Sequence, residues 1–193
     1  MAKIWKNSSQ SKYTIRIKGN RLDSIYQSLE QHAYCDSVQQ IQLESFPDSL
    51  LLQHHSHKVA PVEGLTTDAV LLLDERVRLS CRELDRAFSE WKLDPGRFVG
   101  FLPGGDSEYS LVSDSAAFVH RFYLSRRIFD KECASFLLSA YVSTLSAKTP
   151  VVLASGVRLP GDYYSTPSPH CLSRLMKATG RVSQPVKTRI VGR

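Results

Sequence analysis

The sequence predicts an α/β domain built on a mainly parallel sheet, and three observations carry that reading. Tyr13-Thr-Ile-Arg-Ile17 alternates apolar and polar residues as a half-buried strand does. Across the turn Lys18-Gly-Asn-Arg21 follows a helix over Leu22 to Ala33, with Leu22, Ile25, Tyr26 and Leu29 on one face, and then a second strand, Val38 to Leu43. A β-α-β opening of this kind closes by a right-handed crossover and lays its two strands parallel. Ala69-Val-Leu-Leu-Leu73 is an apolar run too short for a buried helix, and it stops abruptly at Asp74-Glu75-Arg76, as a central strand does where its carboxyl end opens onto a site. Helices and strands continue to alternate beyond it.

In open α/β sheets ligands bind just past such strand ends. Asp74 and Glu75 are therefore the first candidates for chemistry, since a carboxylate pair there can hold a hard cation and, through it, a diphosphate. The plainer alternative is an ordinary strand running into a solvated turn.

After this strand, Ser80 is placed to cap a helix over Arg82 to Trp91, with Leu84, Phe88 and Trp91 facing inward. Gly96 to Leu102 predicts a strand, Pro103-Gly104-Gly105 a tight turn, and Tyr109 to Val112 another strand. A helix is expected over Ala116 to Ile128 with Asp114 at its N-cap, a buried one over Glu132 to Leu145, and a strand over Pro150 to Leu153. The first 12 residues read as a loose lead-in. Ser45 to Gly64 reads as a long loop whose His54, His55 and His57 have no standard metal-ligand spacing, and Gly156 to Pro169 reads as a second loop. The organisation is thus one domain over residues 13–154, with a basic C-terminal part of the same domain over 155–193.

At 193 residues, 42% hydrophobic and 23% charged, the chain is long enough to bury a core of its own. A net charge of +6 favours acidic partners such as nucleotide diphosphates or sulfated glycans. The basic residues are dispersed, apart from a mild concentration at Lys177, Arg181, Lys187, Arg189 and Arg193. Without zinc-finger spacing, an aromatic RNA-binding motif or a long basic helix, nucleic acid is not the expected partner. No apolar run has the length of a membrane span, and Met1-Ala-Lys-Ile-Trp-Lys6 lacks the apolar core of a signal peptide. The four cysteines, Cys35, Cys81, Cys133 and Cys171, show no C-x-x-C spacing.

Running on from the acidic strand end, Cys81-Arg-Glu-Leu-Asp-Arg-Ala-Phe-Ser-Glu-Trp91, Pro95-Gly-Arg-Phe-Val-Gly-Phe101, Glu108-Tyr-Ser-Leu-Val112 and Ala116-Ala-Phe-Val-His-Arg-Phe-Tyr123 form a connected series. Over roughly residues 13–154 this series resembles the C-terminal glycosyltransferase domain of the exostosins, the heparan sulfate polymerase family, glycosyltransferase family 64. The resemblance implies a GT-A-like, nucleotide-sugar-binding fold, with a mixed, mainly parallel sheet between helices. It further implies a UDP-sugar donor, transfer of N-acetylhexosamine to an acidic heparan-type glycan, Mn2+ as cofactor, a second transferase subunit as partner, and a membrane-associated place in the endoplasmic reticulum or Golgi lumen.

Residue by residue, the resemblance puts Asn20 and Arg21 in the turn near the uracil, and Lys58 where the family has a loop arginine beside the donor. Asp74 and Glu75 match the first two positions of the acidic motif that holds the metal. Arg76 stands at the third, where the family has a carboxylate. A guanidinium does not ligate a cation, but it is able to contact a diphosphate directly. Cys133-Ala134-Ser135 aligns with the family's late acidic motif, so that Ser135 offers a hydroxyl where a carboxylate lies near the reacting sugar, and Ser139 replaces an asparagine in the helix that follows. Tyr109 and Asp114 fall on the acceptor side, and Pro103-Gly-Gly105 replaces a longer acceptor-side insertion. The family's cysteine pairing implies a Cys133–Cys171 bridge, with two free, partly buried thiols as the alternative; Asn7-Ser-Ser9 is a glycosylation sequon. Two functions follow from this pattern: a transferase that neutralises its leaving group in an unusual way, or a degenerate domain that holds a glycan or a partner without turnover.

Overall fold

The structure is a computed structural model, and it describes residues 10–44, 58, 64–104, 111–124, 134–153, 170, 173, 177 and 189–191. The expected opening is present: β1 (Tyr13–Lys18), α1 (Leu22–Ala33) and β2 (Val38–Glu44). Next come β3 (Ala69–Asp74), α2 (Cys81–Leu93), β4 (Val99–Gly100) and β5 (Pro103–Gly104). They are followed by β6 (Leu111–Val112), β7 (Ala116–His120), α3 (Arg121–Leu124), α4 (Ala134–Ser146), β8 (Val151–Leu153) and β9 (Arg189–Val191).

Among the described residues seven strands form one sheet in the order β2-β1-β3-β7-β4-β8-β9, and β5 and β6 make a separate antiparallel pair. Every pairing in the large sheet is parallel except those of β7, which runs antiparallel to both β3 and β4. Because side chains alternate across a strand, β3 feeds two cores at once. Leu71 and Leu73 join Ile15, Ile17 and Ile41 beneath α1 and α2, where Ile25, Leu29, Leu84, Phe88 and Trp91 meet them. Val70 and Leu72 turn to the other face, where they join Val119, Tyr141 and Val142 of the α4 side. The sheet is thus a layer between helices, and a strand with all six residues buried loses the polar alternation that marks an edge.

That same geometry corrects the expected helix over Ala116 to Ile128. Ala116–His120 is the strand β7, buried at every position, and only Arg121–Leu124 is helical after it. Lying between β3 and β4, β7 is covered on both faces, so its sequence carries no period of two, and two consecutive alanines look like helix formers. The small side chains serve packing: a Cβ at Gly100 would stand 3.1 Å from that of Ala117 and 2.4 Å from Val112 Cγ1. Asp114, expected as an N-cap, therefore precedes a strand and caps nothing. Two smaller differences concern Gly96 to Leu102, of which only Val99–Gly100 pairs in the sheet, and Pro103–Gly104, which pairs with Leu111–Val112 rather than forming only a turn. The edge strand β9 within the basic C-terminal part was not expected.

Cys35 and Cys81 form a disulfide, with Cα atoms 5.4 Å apart, joining the end of α1 to the start of α2. The expected partners Cys133 and Cys171 lie outside the described residues. So do Tyr109, His54, His55, His57 and the sequon at Asn7. Among the described residues no helix is long and apolar enough to cross a membrane.

Candidate functional site

The parallel register of β1 and β3 brings their carboxyl ends side by side, Lys18 opposite Asp74. The two chains then turn away together, and residues 18–21 and 74–76 enclose an open cleft of about 500 Å³, lined by Lys18, Gly19, Asn20, Arg21, Asp74, Glu75 and Arg76. Five of the residues expected at a donor site, Asn20, Arg21, Asp74, Glu75 and Arg76, are thereby brought together.

Each side chain has a distinct task. The Asp74 backbone is tied on one side to the Ser115 carbonyl, to which its N–H donates at 2.8 Å. Its carboxylate accepts from Arg76 twice through Oδ1, from the backbone N–H at 2.9 Å and from Nε at 3.1 Å. Asp74 is 8% exposed, whereas the Arg76 side chain stays about a third exposed, so a solvent-reachable arginine lines the cleft on a buried anchor. Glu75 turns the other way. Its N–H donates to the Lys18 carbonyl at 3.0 Å, and its Oε2 accepts from the Arg21 N–H at 2.8 Å, at the start of α1. A carboxylate is favoured there by the helix dipole. The approach is close enough to require glycine next to it, since a Cβ on Gly19 would lie 2.7 Å from Glu75 Cβ and 2.0 Å from its Oε2. Arg78 locks this arrangement from behind, donating to the carbonyls of Glu75, Val77 and Ser24.

Asp114 lies behind the cleft, 5% exposed, and accepts from Lys18 Nζ at 3.0 Å. Burial pushes its carboxyl up to about 6 against the opposing pull of the Lys18 ammonium, with Glu44 adding to the rise. Lys58 is not brought to the cleft. Its backbone carbonyl accepts from the Ile41 N–H at 2.7 Å, and its amine turns away to donate to the Cys35 carbonyl at 3.0 Å, near the end of the strands where Tyr13 stands opposite Val38. At roughly 3.3 Å per residue this is about 17 Å from the Lys18 end of the sheet. Ser135 falls in the first turn of α4, its side chain outside the described residues. Ser139, one turn further on, is fully buried and accepts from the Val112 N–H at 3.2 Å, holding β6 to α4.

A divalent cation here would draw on Asp74 and Glu75. A guanidinium bonded to one of the two carboxylates competes with such an ion and repels it. With Arg76 Nε at 3.1 Å on Asp74 Oδ1 and Glu75 directed to the Arg21 N–H, this donor set does not fit a resident metal. Among the described residues no three acidic, histidine or cysteine side chains converge elsewhere.

Residues 51–142 match the glycosyl transferase family 64 domain. The chain is 28% identical to Exostosin-like 1 of Mus musculus over 167 residues, 66% of this chain and 25% of that protein. It is 39% identical to Exostosin-like 1 of Homo sapiens over 84 residues, 35% of this chain and 12% of that protein. With Exostosin-1 of Drosophila melanogaster the identity is 32% over 124 residues, 50% of this chain and 16% of that protein. The chain thus spans a quarter or less of the length of these relatives. In three dimensions it is similar to a mannosyltransferase from Pyrobaculum calidifontis solved in complex with GDP-Man and Mn2+, with a TM-score of 0.54 and 11% identity over 73% of this chain and 54% of that one. This likeness is one of fold, the GT-A type with a mixed, mainly parallel sheet.

Proposed function

We propose that this chain, similar over residues 51–142 to the glycosyl transferase family 64 domain, is a divergent exostosin-type transferase that binds UDP-N-acetylhexosamine through a metal-free diphosphate site and transfers the sugar to a heparan-type glycan. The observation that carries this reading is Arg76, its guanidinium seated on Asp74 at 3.1 Å, lining the cleft between the ends of β1 and β3.

As the bond from the sugar to the β-phosphate breaks, negative charge builds on the departing diphosphate, and the transferase must neutralise it without waiting for solvent to reorganise. A guanidinium does so with two N–H groups aimed at one phosphate. Its anchor on a buried carboxylate holds it in place beforehand. In this reading Asn20 and Arg21 lie along the nucleoside and Glu75 keeps their turn in shape, while Ser135 and Tyr109 keep only the sugar-side and acceptor-side roles that the resemblance implies. The Cys35–Cys81 disulfide fits an oxidising lumen such as the endoplasmic reticulum or Golgi. A second transferase subunit is the protein partner this reading expects.

A non-catalytic reading, in which the domain holds UDP or a glycan without turnover, draws on the replacement of the late carboxylate by Ser135. Titration calorimetry with UDP tests both. The expected result is equal affinity in EDTA and in manganese, with a loss of about tenfold or more in Arg76→Ala, as for a hydrogen-bonded charge removed. Absence of UDP binding under both conditions rejects a donor site. Binding without release of UDP from UDP-N-acetylglucosamine in the presence of heparan oligosaccharide selects the non-catalytic reading.

A further inference from the structure

We infer that Lys18, held in place by Asp114, is a second diphosphate-binding cation of this cleft, acting beside Arg76; the inference rests on the donor-site reading above. Lys18 ends β1 directly opposite Asp74, and side chains of laterally paired residues in parallel strands lie on the same face, about 5 Å apart at Cβ. Its ammonium is therefore delivered to the same strand-end cleft whose other wall carries Arg76. The lysine side chain is 29% exposed, enough for an incoming anion to reach it.

One of its three N–H donors goes to Asp114 Oδ1 at 3.0 Å. That carboxylate sits behind the lysine, nearly fully buried, and does not line the cleft. A buried ion pair of this kind is a poor source of stability, because both groups give up water. It does hold a flexible four-carbon side chain in one place, and the ammonium has two further donors to offer an incoming anion. The lining then offers three cations, Lys18, Arg21 and Arg76, and both lining carboxylates are already engaged, Asp74 by Arg76 and Glu75 by the Arg21 N–H. Such a lining is built for an anion that can accept from more than one cation, as a diphosphate does and a single carboxylate does poorly. Lys18 in this way supplies the second donor-side charge that Lys58, bonded to Cys35 at the other end of the strands, does not bring to the cleft. Lys18 would be a binding residue and Asp114 its positioning residue.

The test is calorimetry of the full chain in EDTA with UDP and, separately, uridine. Lys18→Met is expected to weaken UDP by about tenfold to a hundredfold and to leave uridine within about threefold, since only the diphosphate meets the lysine. Lys18→Arg should restore UDP affinity to within about threefold of the unmodified chain, which keeps the test meaningful if the methionine variant folds poorly. Asp114→Asn should weaken UDP in the native background and change nothing once Lys18 is Met, a coupling that a purely structural role for Asp114 does not produce. UDP binding in Lys18→Met equal to that of the native chain, or an equal loss for uridine, overturns the inference while leaving the donor site standing. Failure of the native chain to bind UDP removes both.

Discussion

Asp114 decides more about this site than its place in the sequence suggests. Its carboxyl is raised from 3.8 to about 6 chiefly by burial, so between those values the folded chain holds a proton that the unfolded chain has released. Stability linked to this group is therefore fully present below about pH 4 and is lost as pH rises through about 6, a difference on the order of 3 kcal/mol. Denaturant melts at pH 4.5 and 7 are expected to show Asp114→Asn gaining on the native chain at the higher pH, because the amide has no charge to bury. A constant offset at both pH values would contradict the assignment. Other single residues were legible to different degrees. Asn20, Arg21, Asp74, Glu75 and Arg76 stand at strand ends, where position alone predicts proximity. Lys18 was readable from the alternation of β1, which puts Thr14, Arg16 and Lys18 on the face away from Ile15 and Ile17, yet a lysine before a turn is ordinarily solvated. Lys58 belongs to a stretch that reads as a long loop, and loops do not preserve spacing as strands do.

The elements that announced themselves were those with a period and a cap. In α2, Ser80 Oγ accepts from the Glu83 N–H at 3.3 Å, while Glu83 Oε2 accepts from the Ser80 N–H at 2.9 Å, a reciprocal box that ends the preceding strand-to-helix turn. Ser80→Ala should lower stability by about 1 kcal/mol in an equilibrium urea melt, and an unchanged midpoint would mean that the disulfide at Cys81 alone fixes the helix start. Helix α1 was equally readable, although its N-terminus is satisfied by a carboxylate 54 residues away rather than by a local cap. Long-range partners of this sort leave no local trace. The strand β7 was misread for a related reason, since burial on both faces is a property of its neighbours β3 and β4 and not of the five residues themselves.

At the level of the whole fold, one half of the sheet is braced by links that bypass it. The Cys35–Cys81 disulfide joins α1 to α2 across 46 residues of sequence, enclosing β2 and β3 in the loop. Alongside it, Gln31 Nε2 donates to the Leu79 carbonyl at 3.0 Å, and the buried His32 ring lies 3.2 Å from the same oxygen. Closing a loop of that length in the unfolded chain is worth about 4 kcal/mol by chain entropy. Yet the cleft residues are held by different bonds: the β1–β3 register, Glu75 on the Arg21 N–H, and Arg78 on three carbonyls. The disulfide should therefore act on stability and not on the site. In Cys35→Ser/Cys81→Ser the urea midpoint is expected to fall by the equivalent of about 2–4 kcal/mol, while UDP affinity measured well below that midpoint stays within about threefold of the native chain. Loss of affinity in parallel with stability would mean that the helix pair and the strand-end cleft form one cooperative unit, and the separation between frame and site drawn from these bonds would have to be abandoned.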